Sequence, residues 1–306
     1  MKILLFIATL FFGSMLISSE LDENRTYVVA FAQDTLDNDF RLAQVNVLKK
    51  ELDKYKNIKF IYSDAKANTS LQIKHIEDFI NQGVDILITS PYDEKALNDI
   101  VSKAYRSNIP VILISRSVIG DEYTTHIHPD NKQIAVNAAK YLAKNIQYKG
   151  NVLLLKGVPK ADSTRIRTAG FYEVISNFPD IKVIERTGNY LRRDALLEVE
   201  KLLDQGVHLD AIMSQSDSML VGARMVLKSK GIDPASIFSV GIDYINPARD
   251  AIRQGKQNSS FLYSLSSKKT AETVVKILSG QKVPKEILID TIQITKENVE
   301  NVTPVF

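Results

Sequence analysis

The sequence predicts an α/β protein built as two doubly wound parallel-sheet lobes, and three observations predict it. From Tyr27 onward, short runs of β-branched and aliphatic residues alternate with stretches of helical period, the pattern of a parallel sheet covered by helices on both faces. A helix stop followed by an apolar strand occurs twice, as Gln82-Gly83-Val84 before ILITS and as Gln205-Gly206-Val207 before LDAIMS. The two stops lie 123 residues apart within the same order of elements, which points to internal duplication. A length of 306 residues suits two domains of ordinary size, each with its own core.

In the first lobe Tyr27 to Phe31 reads as a strand, and Val45, Leu48, Leu52 and Tyr55 share a helix face. Lys59 to Tyr62 is the next strand; Ile73, Ile76, Phe79 and Ile80 mark a helix that Gly83 stops. Val84 to Thr89 and Pro110 to Ser115 are buried strands, with a helix face through Leu97, Ile100, Val101 and Ala104 between them. The second lobe repeats the plan. Its strands are Asn151 to Leu155, Lys182 to Ile184, Asp210 to Ser214 and Phe238 to Ile242. Its helix faces run through Phe171, Val174, Ile175 and Phe178, then Leu196, Val199, Leu202 and Leu203, then Leu220, Ala223 and Leu227.

Composition excludes several classes. Lys plus Arg number 39 and Asp plus Glu 36, so a net charge of +3 gives no support to nucleic-acid binding. The absence of Cys removes disulfides, thiolate metal sites, thiol nucleophiles and a lipid-modified N-terminal Cys. Lys2, the apolar run from Ile3 to Ile17, and the small Ser18 and Ser19 before acidic Glu20, Asp22 and Glu23 read as a secretory leader over residues 1–19. An uncleaved anchor is the competing reading, against which stands a run shorter than the roughly 20 residues that span a bilayer.

In such sheets a ligand sits outside the carboxyl ends of the strands. The loops there carry Asp34, Asn38, Asp39, Phe40, Arg41, Arg116, Arg165, Asp217 and Asp243. Guanidinium forks and carboxylate pairs match vicinal hydroxyls, and an aromatic face covers the C–H side of a sugar, so this set suits a polyhydroxylated ligand.

Seven segments in order carry a resemblance: NDFR (38–41), YSDAKANTSLQIKHIEDFINQGVDILITSP (62–91), IPVILISR (109–116), HPDN (128–131), STRIRTAGF (163–171), SQSDSMLVGA (214–223) and SVGIDY (239–244). Across essentially the whole chain after the leader, the sequence resembles the type I periplasmic sugar-binding proteins of ABC importers, especially ribose and galactofuranose binders. The resemblance implies two lobes joined by three strand crossovers, residues 26–128 with 264–290 and residues 129–263 with 291–306, closing on one small sugar. It implies Phe40 as the stacking aromatic, Arg41 beside it, Arg116 and Arg165 as the two ligand-binding arginines, Asp243 as the second-lobe carboxylate, Asn38 in the first loop, and Tyr263 where a hinge Gln is usual. It also implies a periplasmic monomer without cofactor, presenting its closed form to a membrane ABC permease or to a periplasmic sensor domain.

Two departures bear on the ligand. Ribose-type proteins carry Asp before the first arginine, where this chain has Ser115, and Asn before the fifth-strand Asp, where it has Ser216. A neutral furanose or pentose is the first expectation. Three arginines facing one cleft with a carboxylate fewer motivate a sugar acid or sugar phosphate as the alternative, unless Asp217 compensates.

No nucleophile elbow, zinc-protease motif or phosphate loop is present, so no enzyme is expected; a sugar hydrolase on this fold needs two acidic residues facing one another in the cleft, a place Asp217 and Asp243 could take. Sugar-responsive repressors share the fold but place a helix-turn-helix domain before the first strand, which here begins at Tyr27. His126 and His128 form an H-x-H pair at strand spacing, but no third ligand is evident beside it, so it reads as a solvated strand end rather than a metal site.

Overall fold

The structure, a computed structural model, describes residues 21–22 and 24–306; the leader read over residues 1–19 lies outside them. The first part of the chain folds as β1 (Tyr27–Gln33), α1 (Asp39–Leu52), β2 (Ile58–Asp64), α2 (Thr69–Asn81), β3 (Ile86–Thr89), α3 (Asn98–Arg106), β4 (Val111–Ile114) and β5 (Thr125–Pro129). It then crosses to a second sheet. That lobe holds α4 (Asn131–Asn145), β6 (Gly150–Lys156), α5 (Asp162–Ile175), β7 (Ile181–Thr187), α6 (Arg192–Asp204), β8 (Ala211–Ser214), α7 (Asp217–Ser229), β9 (Phe238–Asp243), α8 (Asn246–Arg253) and β10 (Ser259–Leu262). The chain returns to the first sheet for α9 (Ser267–Leu278) and β11 (Glu286–Ile289), and crosses a third time into β12 (Gln293–Ile294).

Strand order is β2-β1-β3-β4-β5-β11 in one sheet and β7-β6-β8-β9-β10-β12 in the other, the same winding twice. Among the described residues all strand pairs are parallel except one: the final strand, β12, runs antiparallel to β10, a departure from the all-parallel expectation. The apolar runs are continuous because both faces of each strand are buried. Val29 and Phe31 of β1 enter one core while Ala30 and Ala32 enter the core on the opposite face, and Val111 and Leu113 of β4 part in the same way from Ile112 and Ile114. In the second sheet, Val152 and Leu154 of β6 face one core, Leu153 and Leu155 the other.

Helix ends follow from local chemistry. Asn38 caps α1 by accepting from Arg41 N at 3.2 Å, Asn68 caps α2 from Leu71 N at 3.0 Å, and Asp130 caps α4 from Gln133 N at 2.9 Å. The helix face read through Tyr55 is shorter than expected: α1 stops at Leu52, and Tyr55 stands half-exposed in the turn beyond it. Gly83 and Gly206 end α2 and α6 in the left-handed conformation, at φ +64° and +73°, with open space where a Cβ would stand. Backbone conformation alone therefore favours glycine there. Gly206→Ala is expected to lower stability by about 1–2 kcal/mol, read from the urea midpoint at unchanged m-value.

Candidate ligand-binding site

The carboxyl ends of both sheets face each other across a cavity of about 230 Å³, room for one small organic molecule. The first lobe lines it with Asp34, Asn38, Phe40, Arg41, Tyr92, Ser115 and Arg116; the second with Ser163, Arg167, Asn189, Tyr190, Ser216 and Asp243; Tyr263 comes from the second crossover.

Each side chain is placed by a strand end or a helix start. Asp34 follows β1 and is 1% exposed. Its carboxylate accepts from Arg116 Nη1 at 2.6 Å and stands 3.2 Å from Arg41 Nε. Arg41, in the first turn of α1, also donates to Gln44 Oε1 at 3.1 Å. Burial pulls the Arg41 pKa down to about 10, against the opposing pull of Asp34, so the group stays charged at neutral pH. Gln44 passes the network on, donating to Ser115 Oγ at 3.0 Å and to the Leu265 carbonyl at 2.8 Å. Asp34 Oδ1, ion-paired with Arg41 Nε, and Arg116 Nε are both shut off from solvent and make no hydrogen bond.

The second lobe offers a matching set. Arg167 is fully enclosed: Nε donates to Asn131 Oδ1 at 2.8 Å, Nη1 to the Gln215 carbonyl at 2.5 Å, and its guanidinium carbon lies 4.6 Å from the Tyr263 ring centroid. Asp243 ends β9; burial pushes its carboxyl well above the usual range, against the opposing pull of Arg167. Tyr190 holds its hydroxyl on Thr164 Oγ1 at 2.8 Å, with Arg116 on one side of its ring at 5.4 Å and Arg167 at 5.8 Å. A Cβ at Gly157 would run into that ring, so glycine is required for Tyr190 to sit there. Tyr263 donates to the Ser115 carbonyl at 3.2 Å and packs against Phe40 at 5.7 Å.

Of the residues expected from sequence, Asn38, Phe40, Arg41, Ser115, Arg116, Ser216, Asp243 and Tyr263 line this cavity, and two do not. Arg165 points out of it, its side chain 60% exposed, and makes a two-pronged pair with Glu94 of the other lobe at 2.8 and 2.7 Å. Helix geometry explains this placement. The cleft face of α5 takes Ser163 and, four residues on, Arg167, while Arg165 lies between them on another side. The i, i+4 spacing from Ser163 is the signal that favours the second arginine of STRIRTAGF. Asp217 also lies beneath the site rather than in its wall. It accepts from Gln257 Nε2 at 2.7 Å, Ser260 Oγ at 2.5 Å and Tyr244 N at 2.7 Å, and so anchors the backbone next to Asp243. Tyr190 and Asn189, in the loop after β7, were not singled out by sequence because no local motif marks them.

The lobes are in contact around the cavity mouth. Asn38 Nδ2 donates to the Tyr190 carbonyl at 2.6 Å, Ser117 N to Asp162 Oδ2 at 3.0 Å, and Arg192 Nη2 to Asp39 Oδ2 at 3.0 Å. The conformation described is closed.

Two similar lobes enclosing a polar cavity define the protein as a two-lobed solute-binding protein. The chain belongs to the periplasmic binding protein family: residues 29–282 match the periplasmic binding protein domain. It is 29% identical over 271 residues to the ribose import binding protein of Bacillus subtilis (strain 168), covering 88% of this chain and 87% of that one. Among solved structures, the fructose-binding periplasmic domain of a hybrid two-component system superposes with a TM-score of 0.84 at 27% identity, covering 90% of this chain and 92% of that one. The binding component of the arabinose ABC transporter from Shewanella sp. ANA-3, bound to α- and β-L-arabinofuranose, gives 0.83 at 27% identity, with 89% and 93% covered.

Burial raises the Asp217 carboxyl from an ordinary 3.8 to about 6, a rise that its three hydrogen bonds only partly oppose. Its contribution to stability is therefore full below about pH 4 and lost as pH rises through about 6. A carboxyl-carbon NMR titration is expected to show a buried aspartate with a midpoint near 6 that vanishes in Asp217→Asn; a midpoint below about 4 contradicts the buried placement.

Proposed function

We propose that this chain captures one neutral monosaccharide of furanose or pentose type between its lobes and delivers it, in the closed form, to a membrane ABC importer. The observation that carries the reading is the charge balance of the cavity. Arg41 and Arg116 share Asp34, and Arg167 stands with Asp243, while Asp37 and Asp194 add two further carboxylates to the wall. Asp34 thus supplies the carboxylate that Ser115 lacks, and the case for an anionic ligand loses its motive. Asp34, Arg41 and Arg116 line the wall as charged partners for sugar hydroxyls, and Phe40 offers a ring edge or face beside them. The arabinofuranose and ribose binders among its relatives support the same ligand class.

In this reading residues 1–19 export the chain to the periplasm, where it works as a monomer without a nucleic-acid partner. Residues 26–128 with 264–290, and 129–263 with 291–306, form the closing lobes. Contacts from both lobes make the ligand favour the closed form, and the membrane partner reads that shape. The likeness to a periplasmic domain of a two-component system favours a second reading, in which the closed form is presented to a sensor.

A melting-temperature screen against pentoses, ketohexoses, furanose-forming hexoses, sugar acids and sugar phosphates tests the ligand. At 100 times the dissociation constant the ligand adds about 2.7 kcal/mol. A shift confined to neutral sugars is expected; one confined to acids or phosphates overturns the charge argument. With the ligand in hand, Arg167→Ala is expected to weaken binding by about 2–5 kcal/mol, since it removes a buried charged partner, whereas Arg165→Ala costs about 1 kcal/mol or less. The reverse ranking by calorimetry would return the ligand contact to Arg165.

A further inference from the structure

We propose that His126, His128 and Glu286 form a binding site for a borderline divalent metal of the Zn²⁺ class, on the first lobe and apart from the sugar cavity. The two histidines are i and i+2 on β5 and so share one face of the sheet, and Glu286 stands on the neighbouring strand β11 in register with His126. The third ligand that the H-x-H pair lacks in sequence is thus supplied by a residue about 160 positions away. His126 Nδ1 lies 3.3 Å and His128 Nε2 2.9 Å from the same oxygen, Glu286 Oε2, and one ligand atom from each residue falls within 4.8 Å of the others. Bonds of about 2.0–2.2 Å in a tetrahedron put ligand atoms roughly 3.3 Å apart, so only a fanning of the two rings from their present stacking, 3.8 Å and 17°, is needed.

The hydrogen-bond chemistry points the same way. His128 Nδ1 is 2.9 Å from the Pro129 carbonyl, which only accepts, so Nδ1 carries the proton. The 2.9 Å gap between Nε2 and Glu286 Oε2 is one that either a ring proton or a metal ion accepting both lone pairs fills. An imidazole whose far N–H is held by a backbone carbonyl is also the outer-shell arrangement that orients metal ligands. Tyr123 Oη donates to the other oxygen, Glu286 Oε1, at 2.8 Å and fixes the carboxylate. Lys285, next to Glu286 in the chain, is taken up by the carbonyls of Asp121 and Tyr123 and by the Tyr123 ring. His126 is buried, while Glu286 is about half exposed and opens the site to entering ions and to a solvent ligand.

The bound ion would clip edge strand β11 to β5, the two strands from which the first and third crossovers leave. The test is Zn²⁺ titration by calorimetry on the protein expressed from the full-length sequence, processed by the cell and purified without a histidine tag. Visible absorption of the Co²⁺-loaded form gives a second readout. One Zn²⁺ per chain is expected, with a tetrahedral Co²⁺ spectrum and no competition from Mg²⁺. His128→Ala and Glu286→Gln, at partly exposed positions and each checked for an unchanged metal-free melting temperature, are expected to weaken Zn²⁺ binding by more than about tenfold. No stoichiometric binding by the parent chain, or binding retained in both variants, overturns the site.

Discussion

Three guanidiniums buried in one cleft are the constraint around which the rest of this molecule is arranged. Removing an arginine from water costs several kcal/mol unless charge and hydrogen bonds replace the lost hydration. Asp34 does this for two of them at once, and its position after β1 is available only because the strand is buried on both faces and delivers the residue to the sheet's carboxyl edge. Gln44 extends the same network to Ser115 and to the Leu265 carbonyl, and its own carbonyl accepts from Ser267 Oγ at 2.8 Å. The polar wall of the cavity and the second crossover are therefore one hydrogen-bonded unit.

The two lobes meet the same problem with the same backbone device. Ser115 after β4 and Asp243 at the end of β9 occupy equivalent places in the two windings, and both have positive φ, +66° and +114°. Such conformations cost about 1–3 kcal/mol for a residue other than glycine and persist only when the surroundings enforce them. Here Ser115 N is held by the Ile127 carbonyl at 2.9 Å, and Tyr244 N, next to Asp243, by Asp217 at 2.7 Å. The buried carboxylate of Asp217 is thus a supporting element whose own cost, visible in its raised pKa, is offset by the fixed position of Asp243.

Much of this was legible in the chain itself. Strands buried on both faces read as apolar runs, helix stops read as Gln-Gly-Val, and caps such as Asn38, Asn68 and Asp130 are local hydrogen bonds between near neighbours. Most cavity residues follow, because strand ends are found once strands are found. The two residues that lie outside the cavity are instructive in the same terms. Choosing between Arg165 and Arg167 requires knowing which side of α5 faces the cleft, and a two-residue step rotates a side chain by more than half a turn. Separating Asp217 from Asp243 requires knowing which carboxylate is covered by Gln257 and Ser260.

The sequence by itself determined the two-lobed α/β architecture, the duplication and the loops that meet at the cleft, since each rests on periodicity or on contacts between residues close along the chain. Only the tertiary structure decided the partners of the buried charges, the role of Tyr190 and the meeting of His126 and His128 with Glu286. Those depend on strand register and on contacts between segments distant along the chain, 82 residues for Asp34 and Arg116 and 158 for His128 and Glu286, where no local pattern specifies which side chains share a space.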